Sequence, residues 1–132
     1  MDNFISGMIK DPMNRISTGQ SGEDMAVRYL EDQGYTILQR NYRLRIGEID
    51  IIAREDDCLV FVEVKTRRGE RYGSPFEAVT PHKQRQIGRV ALAYLGRYKQ
   101  GEVAVRFDVV AVFLDQSPTR IELIKNAFEY NG

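Results

Sequence analysis

The chain has 132 residues, 42% of them hydrophobic and 29% charged, and its 19 basic and 19 acidic side chains give a net charge of zero. These values predict one folded domain with its own core and exclude a disordered chain. No apolar run approaches the ~20 residues of a transmembrane helix, and no apolar stretch typical of a signal peptide opens the sequence, so we expect a cytoplasmic protein with no membrane partner. Its one cysteine, Cys58, excludes an intrachain disulfide and a cysteine-cluster zinc site.

Positive charge is concentrated in the middle of the chain. Between Arg40 and Arg106 there are 14 Lys or Arg residues against 9 Asp or Glu residues, which leaves the two ends acidic. A basic surface of this kind suits a nucleic acid. A mixed, solvated surface would give the same count, so the sequence leaves both interpretations open.

The chain opens with residues 1–16, which have no regular period and are interpreted as a flexible arm before a single domain at 17–132. From Gly22, apolar residues recur at helical spacing until Gly34, a residue that commonly ends helices. This spacing predicts a first helix and places Glu23 on its inward face.

Alternating apolar and polar residues predict three strands, followed by a second helix and two further strands. The strands are predicted at 35–41, 47–54, 58–66, 103–114 and 119–125. The second helix is predicted to start at Thr80 as N-cap and Pro81 as first helical residue. Its inward stripe is predicted to contain Ile87, Val90, Ala91, Tyr94, Leu95 and Tyr98. This order predicts an α/β fold with a mixed sheet flanked by helices.

The second and third strands carry charges where apolar side chains would be expected. A turn centred on Asp56 and Asp57 would pair the strands so that Asp50 faces Glu63 and Glu48 faces Lys65, all on the side of Ile52 and Phe61. Two opposed carboxylates repel each other and need compensation. Lys65, a divalent cation or a shared proton could supply it, and a solvated ion-pair ladder is the alternative interpretation.

A hard cation such as Mg²⁺ or Mn²⁺ prefers oxygen ligands. Asp50, Glu63 and the backbone carbonyl of Val64 could provide three, and Lys65 could orient a water or stabilise charge on a phosphate. Elsewhere, Asp108 shares a strand face with Arg106, which favours a structural ion pair or a hydrogen bond to neighbouring backbone.

Asp50 followed by Glu63-Val64-Lys65 resembles the PD-(D/E)xK nuclease signature, with Ile49 where the motif name has proline. The blocks GEDMAVRYLEDQGYTILQRNYRLRIGEIDIIA, FVEVKTRR, YGSPFEAVTPHK and RFDVVAV resemble the bacterial YraN-type family, which has been likened to archaeal Holliday-junction resolvases. The resemblance runs from about Gly19 to Val112.

This resemblance implies a restriction-endonuclease-like αβββαβ core and a metal-dependent endonuclease that hydrolyses DNA phosphodiester bonds. Asp50 and Glu63 match the metal-binding acids, Lys65 the catalytic lysine and Glu23 an additional acid, with Glu48 as a supporting partner. The implied cofactor is Mg²⁺ or Mn²⁺, the implied substrate branched DNA, and the implied assembly a homodimer.

Basic and aromatic residues around the motif are the predicted DNA contacts. They are Arg43, Arg45, Arg67, Arg68, Arg71, Tyr72 and Lys83. The alternative hypothesis is a non-catalytic nucleic-acid-binding or protein-interaction module on the same fold. It predicts binding that does not depend on metal.

Overall fold

The fold consists of two helices and five strands in a computed structural model, which describes residues 18–68, 79–98 and 102–130. The predicted arm at 1–16 lies outside the described residues. In chain order the elements are α1 (Thr18–Asp32), β1 (Thr36–Leu44), β2 (Gly47–Glu55), β3 (Cys58–Arg67), α2 (Pro81–Arg97), β4 (Ala104–Phe113) and β5 (Arg120–Phe128). The predicted α/β order is confirmed. Neither described helix is both long and apolar enough to span a bilayer.

The five strands form one sheet in the order β1-β2-β3-β4-β5. The pair β3–β4 is parallel and the other three pairs are antiparallel, so the sheet is mixed as predicted. Helix α2 supplies the crossover that a parallel pair requires. It packs on one face of the sheet against β2, while α1 packs on the other face against β3, β1 and β4.

Each face of the sheet carries its own hydrophobic core. The α2-side core includes Ile49, Ile52 and Phe61, and the α1-side core includes Ile51 and Val62. All five side chains are at most 1% exposed. Burial on both faces explains why β2 and β3 are rich in Ile, Val and Phe at odd and even positions alike.

Helix α1 approaches the sheet closely at Gly22. A Cβ placed on Gly22 would lie 2.3 Å from Thr66 Oγ1 on β3. Only a residue without a side chain allows this approach. The helix also begins at Thr18, earlier than the predicted start at Gly22, and buries Glu23 as predicted.

Helix α2 begins as predicted. Thr80 caps it by accepting the backbone N–H of Lys83 at 3.2 Å, and Pro81 is its first residue. The predicted stripe is buried at Ile87, Val90, Ala91 and Tyr94. The prediction is wrong at Tyr98, which is 44% exposed because the helix ends at Arg97 and Tyr98 is its C-cap.

A buried ion network ties the strands together around Asp108, which is fully buried. Asp108 accepts hydrogen bonds from Arg106 Nε at 2.9 Å, from the Tyr35 hydroxyl at 2.8 Å and from the backbone N–H of Asn126 at 3.0 Å. Arg106 Nη2 also donates to Glu55 at 2.7 Å. The predicted structural role of the Arg106–Asp108 pair is confirmed.

Candidate active site

The hairpin of β2 and β3 brings the predicted acidic residues together. Its turn is at Asp56 and Asp57, with Asp56 in the left-handed conformation at φ 55°. The strands pair from Glu55 with Cys58 to Ile51 with Val62, which is the predicted register. The paired segment ends there, one residue before Asp50.

The strand alternation is interrupted at Asp50. Ile49 packs in the α2-side core together with Ile52, whereas Ile51, only two residues from Ile49, packs in the α1-side core. On the neighbouring strand, Asn41 is left-handed at φ 53° between the pairs Arg40–Ile51 and Tyr42–Ile49. The prediction of one uniform face is therefore wrong at this point. The interruption in β2 thus coincides with the left-handed residue of β1.

Beyond the end of the ladder, the Asp50 carboxylate, rather than a backbone carbonyl of β2, accepts a hydrogen bond from the β3 backbone. Its Oδ2 accepts the N–H of Val64 at 2.8 Å. This bond holds the carboxyl group beside the β3 residue that precedes Val64, which is Glu63. The predicted Asp50–Glu63 strand pair is therefore absent from the ladder, and Asp50 bonds instead to the residue that follows Glu63.

Burial raises the pKa of Asp50 to about 7, and the charge of Glu63 adds to the increase. The Val64 N–H opposes this effect because it stabilises the carboxylate, while Glu23 and Glu48 add smaller increases. Three acidic side chains therefore act on Asp50 at once. A proton or a cation at Asp50 would relieve this repulsion.

Two lysines approach the same oxygen of Glu63. The carboxylate is 6% exposed, and its Oε2 lies 3.4 Å from Lys65 Nζ and 3.9 Å from Lys83 Nζ. Lys65 comes from β3 and Lys83 from the first turn of α2. Both ammonium groups are beyond close hydrogen-bond distance, so they partly neutralise Glu63 without enclosing it.

Glu23 reaches the site from α1 and is firmly held there. Its Oε1 accepts from Arg40 Nη2 at 2.8 Å, from Arg40 Nε at 3.1 Å and from Asn41 Nδ2 at 3.1 Å. Arg40 also pairs with Asp24 at 2.7 Å. Sequence reasoning treated Arg40 only as part of a basic surface and missed Asn41. An asparagine inside a strand was the available signal, because Asn is rare in strands and tolerates the left-handed conformation.

The other predicted residues surround this centre. Glu48 pairs with Arg43 at 3.3 Å, and the Arg43 side chain is 71% exposed. Arg45 and Arg68 are exposed, while Arg67 is partly buried at the end of β3 and donates weakly to the Thr66 carbonyl. Arg71 and Tyr72 lie outside the described residues.

The carboxylates of the site offer oxygen ligands for a divalent cation. In the described ranges, no three His, Cys, Asp or Glu side chains are grouped in a way that would enclose a metal ion. Asp50 and Glu63 offer two carboxylates. Mg²⁺ in proteins is commonly bound by one or two carboxylates and keeps several waters, so the pair fits such an ion in an open site.

Comparisons with known proteins give the family. Curated relatives named UPF0102 protein include one from Syntrophus aciditrophicus (strain SB), 53% identical over 122 residues and covering 92% of this chain and 96% of its own. Another, from Rhodococcus opacus (strain B4), is 49% identical and covers 87% of this chain and 98% of its own. A solved structure of Pyrococcus furiosus SfsA with Ca²⁺ covers 82% of this chain and 62% of its own, but its TM-score of 0.32 and identity of 13% are too low to support an argument. Residues 22–112 match the Uncharacterised protein family UPF0102, the YraN-type family that the sequence blocks resemble, and the chain belongs to it.

Proposed function

We propose that this protein is a metal-dependent endonuclease that hydrolyses phosphodiester bonds in DNA. The observation that carries the proposal is the convergence of Asp50, Glu63 and Lys65 at the point where β2 and β3 separate. Asp50 is fixed by the Val64 N–H, and Lys65 Nζ lies 3.4 Å from Glu63. Two acids and a lysine in this arrangement match the chemistry of the motif that the sequence resembles.

Asp50 and Glu63 would hold a Mg²⁺ or Mn²⁺ ion, with the Val64 carbonyl as a further oxygen ligand. A bound ion would lower the pKa of water and neutralise charge on the phosphate. The increase in the Asp50 pKa caused by burial and Glu63 supports this assignment, because a cation would relieve the same repulsion.

Lys65 and Lys83 would act on the phosphate and the attacking water. Both are partly buried and share Glu63 Oε2 as their neighbour. An ammonium group in this position can orient water or stabilise the charge that develops on phosphoryl oxygens. Glu23, held by Arg40 and Asn41, and Glu48, paired with Arg43, would keep the site acidic from two other sides.

The substrate would be DNA, bound through exposed cations next to the acids. Arg43, Arg45 and Arg68 are exposed and suited to phosphate contacts. The likeness of the YraN-type family to junction resolvases favours branched DNA. It also favours a homodimer, which would cut two strands.

The test is cleavage of labelled linear, flapped and four-way-junction DNA by the full chain in Mg²⁺, in Mn²⁺ and in EDTA. We expect cleavage only with metal, and a loss of about 100-fold or more in Glu63→Gln and Lys65→Gln. The 5′ or 3′ position of the product phosphate would establish which bond breaks.

Glu31→Gln is the matched control, because this acid is exposed near the C-terminal end of α1, eight residues after Glu23. It should cleave like the wild type. If folded wild-type protein binds DNA but does not cut it, and if Glu63→Gln and Lys65→Gln bind equally well, the nuclease proposal is wrong. The non-catalytic binding module would then be the better interpretation.

A further inference from the structure

We propose that Ile46, at the tip of the β1–β2 turn, is an apolar wedge that enters DNA where the base stack is open. The inference rests on the proposed function, since it takes DNA as the substrate. It adds the feature of this chain that would recognise a branch point rather than a continuous duplex.

The turn has an unusual composition for its length. Leu44 pairs with Gly47, so only Arg45 and Ile46 connect the two strands. Two-residue turns usually carry Gly, Asn or Asp at these positions. Ile46 is instead a large aliphatic residue that is 47% exposed, and both Arg45 beside it and Arg43 are exposed.

The backbone of the tip is anchored although the side chain of Ile46 projects. Gln86 Nε2 on α2 donates to the Ile46 carbonyl at 3.0 Å. Helix α2 also packs directly over Gly47, where an added Cβ would lie 2.7 Å from Gln86 Cγ and 3.2 Å from Val90 Cγ2. A tip fixed in this way presents its side chain without an ordering cost on binding.

The tip lies beside the candidate active site. Gly47 begins β2 three residues before Asp50, roughly 10 Å along an extended strand. Gln86 is one helical turn after Lys83, whose ammonium group approaches Glu63. DNA that places a phosphate at the acids would therefore pass the β1–β2 tip.

The chemistry of the tip suits an interrupted base stack. Proteins insert Ile, Leu or Met between base steps, and this insertion costs unstacking energy in an intact duplex. The cost is smallest where pairing or stacking is already broken. Arg43 and Arg45 would hold the phosphates on either side. One exposed aliphatic residue is ordinary on a protein surface, but anchoring, flanking arginines and closeness to the acids occur together here.

The experiment measures binding of the full chain to a four-way junction that carries 2-aminopurine at the branch point, and to a linear duplex with the same sequence, both in EDTA. We expect wild-type protein to bind the junction more tightly and to raise its 2-aminopurine fluorescence. Ile46→Ala should weaken junction binding about tenfold, equal to about 1.4 kcal/mol, and should abolish the fluorescence change. Linear binding should change less than twofold, and Ile46→Leu should behave like the wild type.

Two control variants sharpen the result. Leu38→Ala removes a different exposed aliphatic side chain, which lies on β1 and is 40% exposed, and it should not change binding to either DNA. Arg45→Gln should reduce the slope of the logarithm of the binding constant against the logarithm of the salt concentration by about one on both DNAs. If Ile46→Ala binds the junction and the linear duplex as tightly as the wild type does, the wedge proposal is wrong but the proposed function is unaffected. Failure of folded wild-type protein to bind either DNA would overturn the proposed function as well.

Discussion

The pKa of the Asp50 carboxyl group reflects both its burial and the charged and polar groups around it. Burial and Glu63 favour its protonated form, and the Val64 N–H favours its ionised form. The sequence predicted that the facing acids need compensation by a lysine, a cation or a proton. Because the pKa of Asp50 is about 7, a proton on this carboxyl group relieves the repulsion below neutral pH. The charge on Glu63 is partly neutralised by Lys65 and Lys83.

Asp50→Asn should stabilise the metal-free protein at pH 8 and have little effect at pH 4. Because the pKa of Asp50 is raised in the folded state, ionisation reduces stability as pH rises from about 4 to about 7. The substitution removes this penalty, on the order of 2–4 kcal/mol, and Asn Oδ1 can still accept the Val64 N–H. Urea unfolding at both pH values in EDTA measures the change, and an equal effect at both would contradict the assignment.

The acidic residues of the candidate site could be selected from the sequence, but the contacts that support them could not. The turn at Asp56 and Asp57 determines the register as far as Ile51 and Val62, and the sequence pattern predicted this part. The position of Asp50 beside β3 depends in addition on its hydrogen bond with the Val64 N–H. The hydrogen bonds from Arg40 and Asn41 to Glu23 depend on a left-handed residue inside a strand and on the position of another element. No local periodicity encodes such a contact.

At the scale of the elements, α1 and β3 pack so closely that no side chain fits between them at Gly22. Gly22 lies against Thr66, which follows Lys65 on β3. The same strand therefore both contacts α1 and carries a residue of the candidate site. Sequence reasoning located both elements and the inward face of α1. The contact with Thr66 could not be predicted, because an isolated glycine in a helical pattern gives no information about which residue packs against it.

Gly22→Ala should destabilise the protein by about 1–3 kcal/mol through overpacking. The added methyl group would lie 2.3 Å from Thr66 Oγ1 but 3.3 Å from Thr66 Cβ. Adding Thr66→Ala should therefore recover most of the loss, because Ala favours a helix over Gly by up to ~1 kcal/mol once the clash is removed. Unfolding curves of both single variants and the double variant measure the coupling. A Gly22→Ala protein at least as stable as the wild type would disprove the close contact.

At the scale of the whole sheet, the described residues bury charge at two separate places. The acids converge at Asp50, and the Arg106–Asp108 network includes Glu55 at the other end of β2, roughly 16 Å away along the strand. In the first cluster no described cation forms an ion pair with Asp50, whereas both acids of the second cluster are paired with Arg106 or Lys125. This contrast distinguishes a candidate site from a structural network better than burial alone.

Arg106→Met should cost about 3–5 kcal/mol, because it leaves Asp108 charged and fully buried. The matched control is Arg120→Met, whose partner Glu122 is also two residues away on a strand but exposed, so its loss should stay under ~1 kcal/mol. Urea unfolding measures both. A combination of Arg106→Met with Asp50→Asn should be additive within ~0.5 kcal/mol, and similar costs for the two arginine variants would contradict the buried role.

The irregular pairings of β1 with β2 and of β4 with β5 have a consequence for solubility. An open sheet ends in two edge strands, which can pair with edges of other copies and start aggregation. Here the register shifts between Ile37 and Gln39 on one side and between Phe107 and Val109 on the other, while left-handed Asn41 and Asn126 bend the same outer strands. Bent, bulged edges make poor templates for a further strand. The distortion beside the acidic site therefore also disfavours edge-to-edge strand pairing between copies of the chain in concentrated solution.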